Sequence, residues 1–510
     1  MAADNFVTNW FRNPKWWFDA SPEVDEYITH TYGHLLDADL SSRDIDPFSR
    51  VLVYDQLPRH VFRGTVSGHI ILFFLQKALD SLRLIDTSSL PIEKWCFAML
   101  PIRHSGNVIR IRGVMKESWN ALNALALSAS LNANSGSKSV SDTLILRRFI
   151  KATYERCPIG DQRYFMIHHR SLSIIDHPVD IPPQRSRQFR HIIAEFENQL
   201  KSVGKKKLLL SLSGGVDSMV CLHLLISSRV EFEIVHINYC NRSNSMDEEE
   251  FVVSWVNSLR LNVWVRRLKE IQREPCMKND MRSVYETYTR NVRYACYKSI
   301  GGTVVLGHNK DDCLENIFQN ISHQSKYENL NGMVAIGEQD GIGFFRPLLN
   351  IPKQDIIDYA AAHNIPTLPN STPTWSQRGQ IRNKIVPVMD EWNKDFIPGM
   401  YKLADSVKEM HVIVSKMVDN LASRFEENKK ATLSIDELHN SEIFWNMLLE
   451  KVMSRKFSTK SVRSLLERLT QHGDNPNKNN IINFTLSKDV CIRFDYEDNT
   501  VEISFITSSS

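Results

Sequence analysis

Residues 213–218 read Ser-Gly-Gly-Val-Asp-Ser, directly behind the apolar run 208–212 and directly ahead of the apolar stretch 219–225. A strand that enters a glycine turn and leaves as a helix is the elementary unit of an α/β fold, and its turn is a ready anion site. The glycines let backbone amides approach phosphate oxygens with no Cβ in the way, and the hydroxyls of Ser213 and Ser218 add donors. The helix dipole contributes roughly half a positive charge. Pyrophosphate suits such a loop. The lysine of the GxxxxGK[ST] pattern is missing, so this is not the phosphate loop of motor ATPases and GTPases. A serine-capped Gly-Gly turn would have the same composition, but the strand and helix on either side favour the anion site.

Around this loop, short apolar runs at 208–212, 232–237, 263–265 and 303–306 alternate with stretches of helical period, the signature of a doubly wound parallel sheet. The pattern differs on both sides. Residues 51–84 and 95–100 are spaced helically, with Trp10, Phe11, Trp16, Trp17 and Phe18 as aromatic anchors, and predict an all-α N-terminal domain. Beyond Pro387, amphipathic stretches at 400–425, 443–453 and 461–469 precede alternating runs at 482–486, 490–494 and 501–505, which predict a C-terminal α+β module. A length of 510 residues agrees with about three domains. We expect them at 1–176, 191–390 and 391–510, with linkers in the Gly/Ser-rich stretch 132–142 and the proline-bearing stretch 177–190.

With 42% apolar and 24% charged residues the composition is that of a folded globular protein. No apolar run approaches the ~20 residues of a membrane span, and the opening residues lack a basic-then-apolar signal pattern, so a cytoplasmic protein is expected. Net charge is only +3, but 260–298 holds ten Lys/Arg against four Asp/Glu, a basic segment of the kind phosphate partners need. None of the eight cysteines forms a CxxC pair, which excludes the usual zinc and iron–sulfur spacings.

The SGGxDS signature is similar to that of the PP-loop ATP pyrophosphatase superfamily, whose members bind ATP and transfer AMP to an oxygen of the substrate. The resemblance implies ATP binding by Ser213, Gly214, Gly215, Val216, Asp217 and Ser218. It also implies Mg2+ at Asp217, since a carboxylate beside phosphates needs a hard cation to bridge them. Downstream, His236-Ile237-Asn238, Arg290 with Arg293-Tyr294, His308-Asn309-Lys310-Asp311-Asp312-Cys313-Leu314-Glu315, Gly332-Met333, Arg346-Pro347-Leu348-Leu349 and Arg378 with Arg382 follow in an order that resembles the tRNA(Ile)-lysidine synthetase family over about 208–387. That family adenylates the wobble cytidine of a CAU-anticodon tRNA and attaches L-lysine. By this likeness His236 joins the ATP site, and Asp217, His308, Asp311, Arg290 and Arg293 serve catalysis. Asp312 and Glu315 would hold the lysine, while Arg378 and Arg382 would touch the anticodon loop or the α-phosphate.

Some of these roles also follow from the residues. Asp312 and Glu315 are three apart and share a helical face, a suitable pair of carboxylates for an ammonium group. Glu286, Arg290 and Arg293 share another face, either for developing negative charge on ATP or cytosine or simply as a solvated surface. The acidic run 247–250 reads as the acidic beginning of a helix after Ser245. Departures from the family pattern stand at Tyr239, Asn309, Cys313, Asn316 and 368–371. The C-terminal module, with Lys460, Arg463 and Arg468, is expected to grip tRNA phosphates. Residues 6–115 resemble a family of uncharacterised bacterial proteins with a TPR-like helical fold, through Asp55-Gln56-Leu57-Pro58-Arg59, Phe62-Arg63-Gly64-Thr65 and Pro101-Ile102-Arg103-His104-Ser105. Such a domain suggests a protein partner or a homo-oligomer, whereas Asp55, Arg59 and His104 read better as a buried polar network. Two rivals remain: a PP-loop tRNA thiolase, for which CxxC is wanting, and a catalytically idle PP-loop protein that binds tRNA or a partner.

Overall fold

The computed structural model describes residues 2–17, 21–41, 44–64, 68–131, 138–171, 189–204, 206–324, 329–369, 376–425, 430–432, 440–473, 481–495, 497–498 and 500–505. The linker stretches 132–137 and 177–188, and the segment 370–375, lie outside them. The chain divides into two compact units, Met1–Asn309 with Ala335–Ser371, and Lys310–Val334 with Thr372–Ser510.

The first unit opens with seven helices: α1 (Ala2–Arg12), α2 (Pro22–Tyr32), α3 (Pro47–Val61), α4 (Gly68–Leu82), α5 (Ile92–His104), α6 (Val108–Leu131) and α7 (Lys138–Arg156). Local chemistry sets their starts. Ser21 accepts from the Val24 amide with Pro22 in the first turn, and Asp46 accepts from Phe48 with Pro47 behind it. Phe6, Trp10, Ile28, Leu52, Leu57, Ile111 and Met115 are fully buried between them. Helix α7 begins at Lys138, inside the stretch 132–142 expected to be linker, and takes in Ser139 and Ser141.

Then follow β1 (Met166–His169), α8 (Arg190–Val203), β2 (Leu208–Ser211), α9 (Val216–Ser227), β3 (Phe232–Asn238), α10 (Ser245–Ser258), β4 (Val263–Arg267), α11 (Arg273–Lys278), α12 (Arg282–Ile300), β5 (Thr303–Val305), α13 (Lys310–Ser322, in the second unit), β6 (Ile336–Gln339), β7 (Ile342–Phe345) and α14 (Lys353–Ala362). Seven strands form one sheet in the order β1-β4-β3-β2-β5-β7-β6. Its five inner strands are parallel, and β1 and β6 close the edges antiparallel. Strand β1 falls within 1–176 yet pairs with β4, so that segment contributes to the sheet.

Alternation along β2 sorts the core. Leu208 and Leu210 join α8, α9, α10 and α14 on one face, while Leu209 on the other shares a continuous core with α12 and the N-terminal helices. Because β3 lies on one side of β2 and β5 on the other, the chain reverses direction at the carboxyl end of β2. A crevice opens there in doubly wound sheets.

In the second unit, Ile317 of α13 packs with Leu330 and Ala404. Helix α15 (Gln377–Gln380) runs into a π turn over Ile381–Ile385 and then α16 (Val386–Trp392) and α17 (Phe396–Ala422). Pro387 has no N–H to give the preceding turn, and the backbone widens just before it. The remainder pairs β8 (Lys430–Thr432), β9 (Ile481–Ser487), β10 (Val490–Asp495) and β11 (Thr500–Phe505) in the antiparallel order β8-β11-β10-β9. Helices Glu442–Met453 and Thr459–Gly473 cover it through Trp445, Leu448, Leu449, Val462 and Leu465. The architecture is the expected one: a helical N-terminal region, a parallel-dominated α/β sheet and a C-terminal α+β module. No described helix is long and apolar enough to cross a membrane.

Candidate active site

The loop 213–218 sits at the carboxyl end of β2, where the fold places a ligand. Ser218 Oγ accepts from the Ser213 amide at 3.1 Å and donates to the Gly215 carbonyl at 3.0 Å, while Ser213 Oγ accepts from the Gly215 amide at 3.3 Å. The two hydroxyls also bond each other at 3.0 Å. This ring fixes the turn. Gly214 has φ +87°, and a Cβ there would stand 2.6 Å from Leu368 Cδ1, so both conformation and space require glycine. Leu368 in turn donates its amide to the Gly214 carbonyl at 2.9 Å. Gly307, after β5, approaches the backbone of Asp217 and Ser218 closely enough that a Cβ would lie 2.8 Å from it.

Asp217, in the first turn of α9, accepts from Lys353 Nζ at 2.6 and 2.7 Å and from Asn309 Nδ2 at 3.0 Å. The sequence reading overlooked Lys353. A signal existed: a lysine as the first residue of a helix opposes the helix dipole, so an external anion is needed to hold it. The lone carboxylate fits a phosphate-bound magnesium ion, which takes one or two carboxylates and leaves its other positions to phosphates and water. Among the described residues no group of three or more His, Cys, Asp or Glu side chains could hold a metal without such a ligand.

His236, on β3, is buried and donates from Nδ1 to the Leu212 carbonyl at 2.8 Å. Burial depresses its pKa and keeps it neutral, so it braces the strand end from which the loop departs. Below it lies a network that the sequence reading missed. The acidic run does open a helix after Ser245, but its Glu249 is buried, with Arg267 Nε at 2.9 and 3.0 Å and Nη2 at 2.6 Å, and Asn238 Nδ2 at 2.8 Å. Asp247 and Glu250 are exposed and Glu248 is half-buried against Arg242 at 2.8 Å, while Glu249 turns in because an arginine of β4 is there to meet it.

On α12 the expected trio separates. Glu286 pairs with Arg282 at 2.7 Å, and exposed Arg290 reaches Asp340 at 3.9 Å. Half-buried Arg293 lies among Tyr239, Tyr297 and Tyr294; burial alone would lower its pKa, but those phenols raise it. The same helix touches β2 through Tyr297 Oη, 2.9 Å from Ser211 Oγ. His308, just after β5, receives a hydrogen bond at Nδ1 from Arg346 Nε at 3.2 Å.

The second unit brings together four residues expected to serve separate ligands. Arg382, in the π turn, places Nη2 and Nε at 2.6 and 2.8 Å from Glu315 Oε1. Arg378 Nε stands 3.6 Å from Glu315 Oε2, and both arginines come within 4.0 Å of Asp312. Glu315 is only 2% exposed, and its Oε2 has no hydrogen-bond partner. Burial raises its pKa, opposed by Arg382 and reinforced by Asp312. Asp311, beside them in the first turn, is half-buried. In the C-terminal module Lys460 and Arg468 are exposed, and Arg463 pairs with Glu442 at 3.1 Å.

The chain is similar to known proteins over two stretches. A family model described as a PP-loop domain matches residues 186–389, and one described as a bacterial protein of unknown function matches residues 6–152. The tRNA(Ile)-lysidine synthase of Chlamydia caviae is 26% identical over 281 residues, covering 52% of this chain and 85% of its own length. That of Nitrosomonas europaea is 29% identical over 248 residues, covering 46% and 52%, and that of Aster yellows witches'-broom phytoplasma 27% over 212 residues, covering 41% and 47%. This chain thus spans about half the length of the latter two. Residues 186–389 thus match the PP-loop domain model, and over about half its length the chain is similar to tRNA(Ile)-lysidine synthases.

Proposed function

We propose that this chain is an ATP-dependent C–N ligase that adenylates the wobble cytidine of a CAU-anticodon tRNA and joins lysine to it, giving lysidine. The lysine half of the reading rests on Glu315: a carboxylate this deeply buried, with one oxygen lacking a donor, is suited to an ammonium group. In the first step the cytidine 2-oxygen bonds to the α-phosphorus of ATP and pyrophosphate leaves. In the second the lysine ε-amine, once deprotonated, bonds to carbon 2, and AMP departs with the oxygen. Ser213, Gly214, Gly215, Val216 and Ser218 hold the departing pyrophosphate, and Asp217 holds magnesium, which offsets phosphate charge when bound. Lys353 then exchanges its carboxylate partner for phosphate oxygens. Arg378, the more loosely held of the two arginines, gives way to the incoming ammonium and turns to a phosphate.

A thiolase would need a reactive thiolate for sulfur transfer. Burial pushes the thiols of Cys96, Cys276 and Cys296 up to about 12, that of Cys157 to about 11 and that of Cys240 upward, which disfavours a thiolate at those five positions. ATP, labelled L-lysine and a CAU-anticodon tRNA provide the test. Label should enter RNA, with one AMP and one pyrophosphate released per lysine; RNA without label overturns the proposal.

A further inference from the structure

The residues that mark the N-terminal domain in sequence, and that the ligase reading leaves unused, converge on one cavity of about 540 Å³. That volume is in the range of sites for small organic ligands. Its wall carries Arg59, Arg63, Arg103, Arg148 and Arg156, with no aspartate or glutamate among the lining residues. Two carboxylates bonded to the lining residues are already engaged. Asp55 is taken by His104 Nδ1 at 2.9 Å, by Arg59 at 3.4 Å and by Gln56, and Asp25 by His60 at 2.7 Å and Arg63 at 2.6 Å. The buried polar network expected at Asp55, Arg59 and His104 is therefore present, and it forms the back of an open cavity.

Three arginines are left over. Among the described residues Arg103, Arg148 and Arg156 make no hydrogen bond or ion pair, and the Nε atoms of Arg59 and Arg103 are buried without a partner. Arg103 lies over the Phe149 ring at 5.6 Å. Arg103 is withdrawn from water and unpaired, which is costly, while Arg148 and Arg156 are exposed; cations gathered on one wall repel one another unless an anion completes them. Burial, and then the nearby Arg156, push the pKa of Arg103 down to about 10 against the opposing pull of Asp55.

The charge count selects the ligand. One carboxylate would balance one arginine, whereas a phosphomonoester brings about −1.5 to −2 charges and three acceptor oxygens that match guanidinium forks. The same lining carries Trp16, Trp17, Phe97 and Phe149, apolar surface for a flat ring. The geometry points to a second ligand site, within the helical domain, for a phosphomonoester borne on a planar aromatic group. This assignment is independent of the ligase reading.

Phenyl phosphate, titrated calorimetrically into the full chain, is a probe with no nucleotide character to attract the loop at 213–218. It should bind saturably at one site, at least tenfold more tightly than inorganic phosphate or benzoate. Arg156→Gln, at an exposed position, and Arg103→Gln should each weaken it at least tenfold, while ATP binding stays unchanged. Arg103→Gln removes an unpaired charge and should not lower the melting temperature. Absence of saturable binding, benzoate binding as tightly as phenyl phosphate, or affinity lost in Asp217→Asn but retained in both arginine variants would overturn the assignment.

Discussion

Glu249 of α10 and Glu315 of α13 are built from the same ingredients and behave in opposite ways. Each is a glutamate no more than 3% exposed, and each faces an arginine on a neighbouring element. Around Glu249 both oxygens are satisfied, by Arg267 and by Asn238, and although burial pushes its pKa up, those bonds outweigh it and hold the carboxyl below 4.5. Around Glu315 the arginine's two bonds fall on one oxygen, Asp312 adds a like charge, and burial prevails. A completed carboxylate is structural; under the proposed function an incomplete one is kept ready for a ligand, at some expense in stability.

The contrast is tested most strongly by removing the arginines. Arg267→Met should leave Glu249 charged and uncompensated, a loss of about 3–5 kcal/mol in local stability, read from hydrogen exchange of the α10 amides. A loss below about 1 kcal/mol would mean that water already reaches the pair and that it resembles a surface bridge. Arg382→Met should cost less, about 1–3 kcal/mol at α13, because Arg378 remains and a glutamate with a raised pKa takes up a proton more readily. Glu315→Gln should raise the KM for lysine at least tenfold, about 1.4 kcal/mol, while pyrophosphate release from ATP is spared. Equal loss of both steps would contradict the separate roles given to Glu315 and the loop.

The pH responses should also differ in sign. For Glu249 the unfolded state, with its ordinary value of 4.5, binds the proton before the folded state does as pH falls. Its contribution is therefore complete above 4.5 and lost as pH drops through the lower folded value. Glu315 binds its proton more tightly in the folded state, so α13 is most stable at or below 4.5 and loses stability as pH rises through the raised folded value. Exchange rates corrected for intrinsic chemistry should show the two helices responding in different windows and in opposite directions. Each response should disappear in the corresponding Glu→Gln variant.

What the sequence revealed and what it hid follow from range of interaction. The phosphate loop is local: strand, glycines and helix lie within about twenty residues, and the glycine requirement at 214 can be read before any neighbour is known. The three C-terminal strands were equally plain, because alternation is a property of each strand alone. Lys353 was not, since its partner is 136 residues away. Glu249 read only as part of an acidic helix start, because β4, through Arg267, determines that it is buried. The hairpin of β6 and β7 is a different case, in which a local signal went unread. Asp340-Gly341 has φ of +54° and +74°, the positive pair that a two-residue hairpin turn demands, and Asp-Gly is its usual sequence. Overlooking it concealed the edge of the sheet that places Arg346 against His308.

The smallest effect belongs to the pair that the sequence concealed best. Asp217 and Lys353 are each about one-quarter exposed, so their ion pair lies between the buried glutamates and an ordinary surface bridge. Lys353→Met should change stability by less than about 1 kcal/mol, since water screens the pair and Asn309 still donates to Asp217. ATP binding should respond far more, with affinity falling at least tenfold as the phosphates lose a cation. Stability falling by several kcal/mol with ATP affinity intact would instead make Lys353 a structural counter-ion like Arg267. The division between completed and ligand-ready carboxylates would then fail at the loop itself.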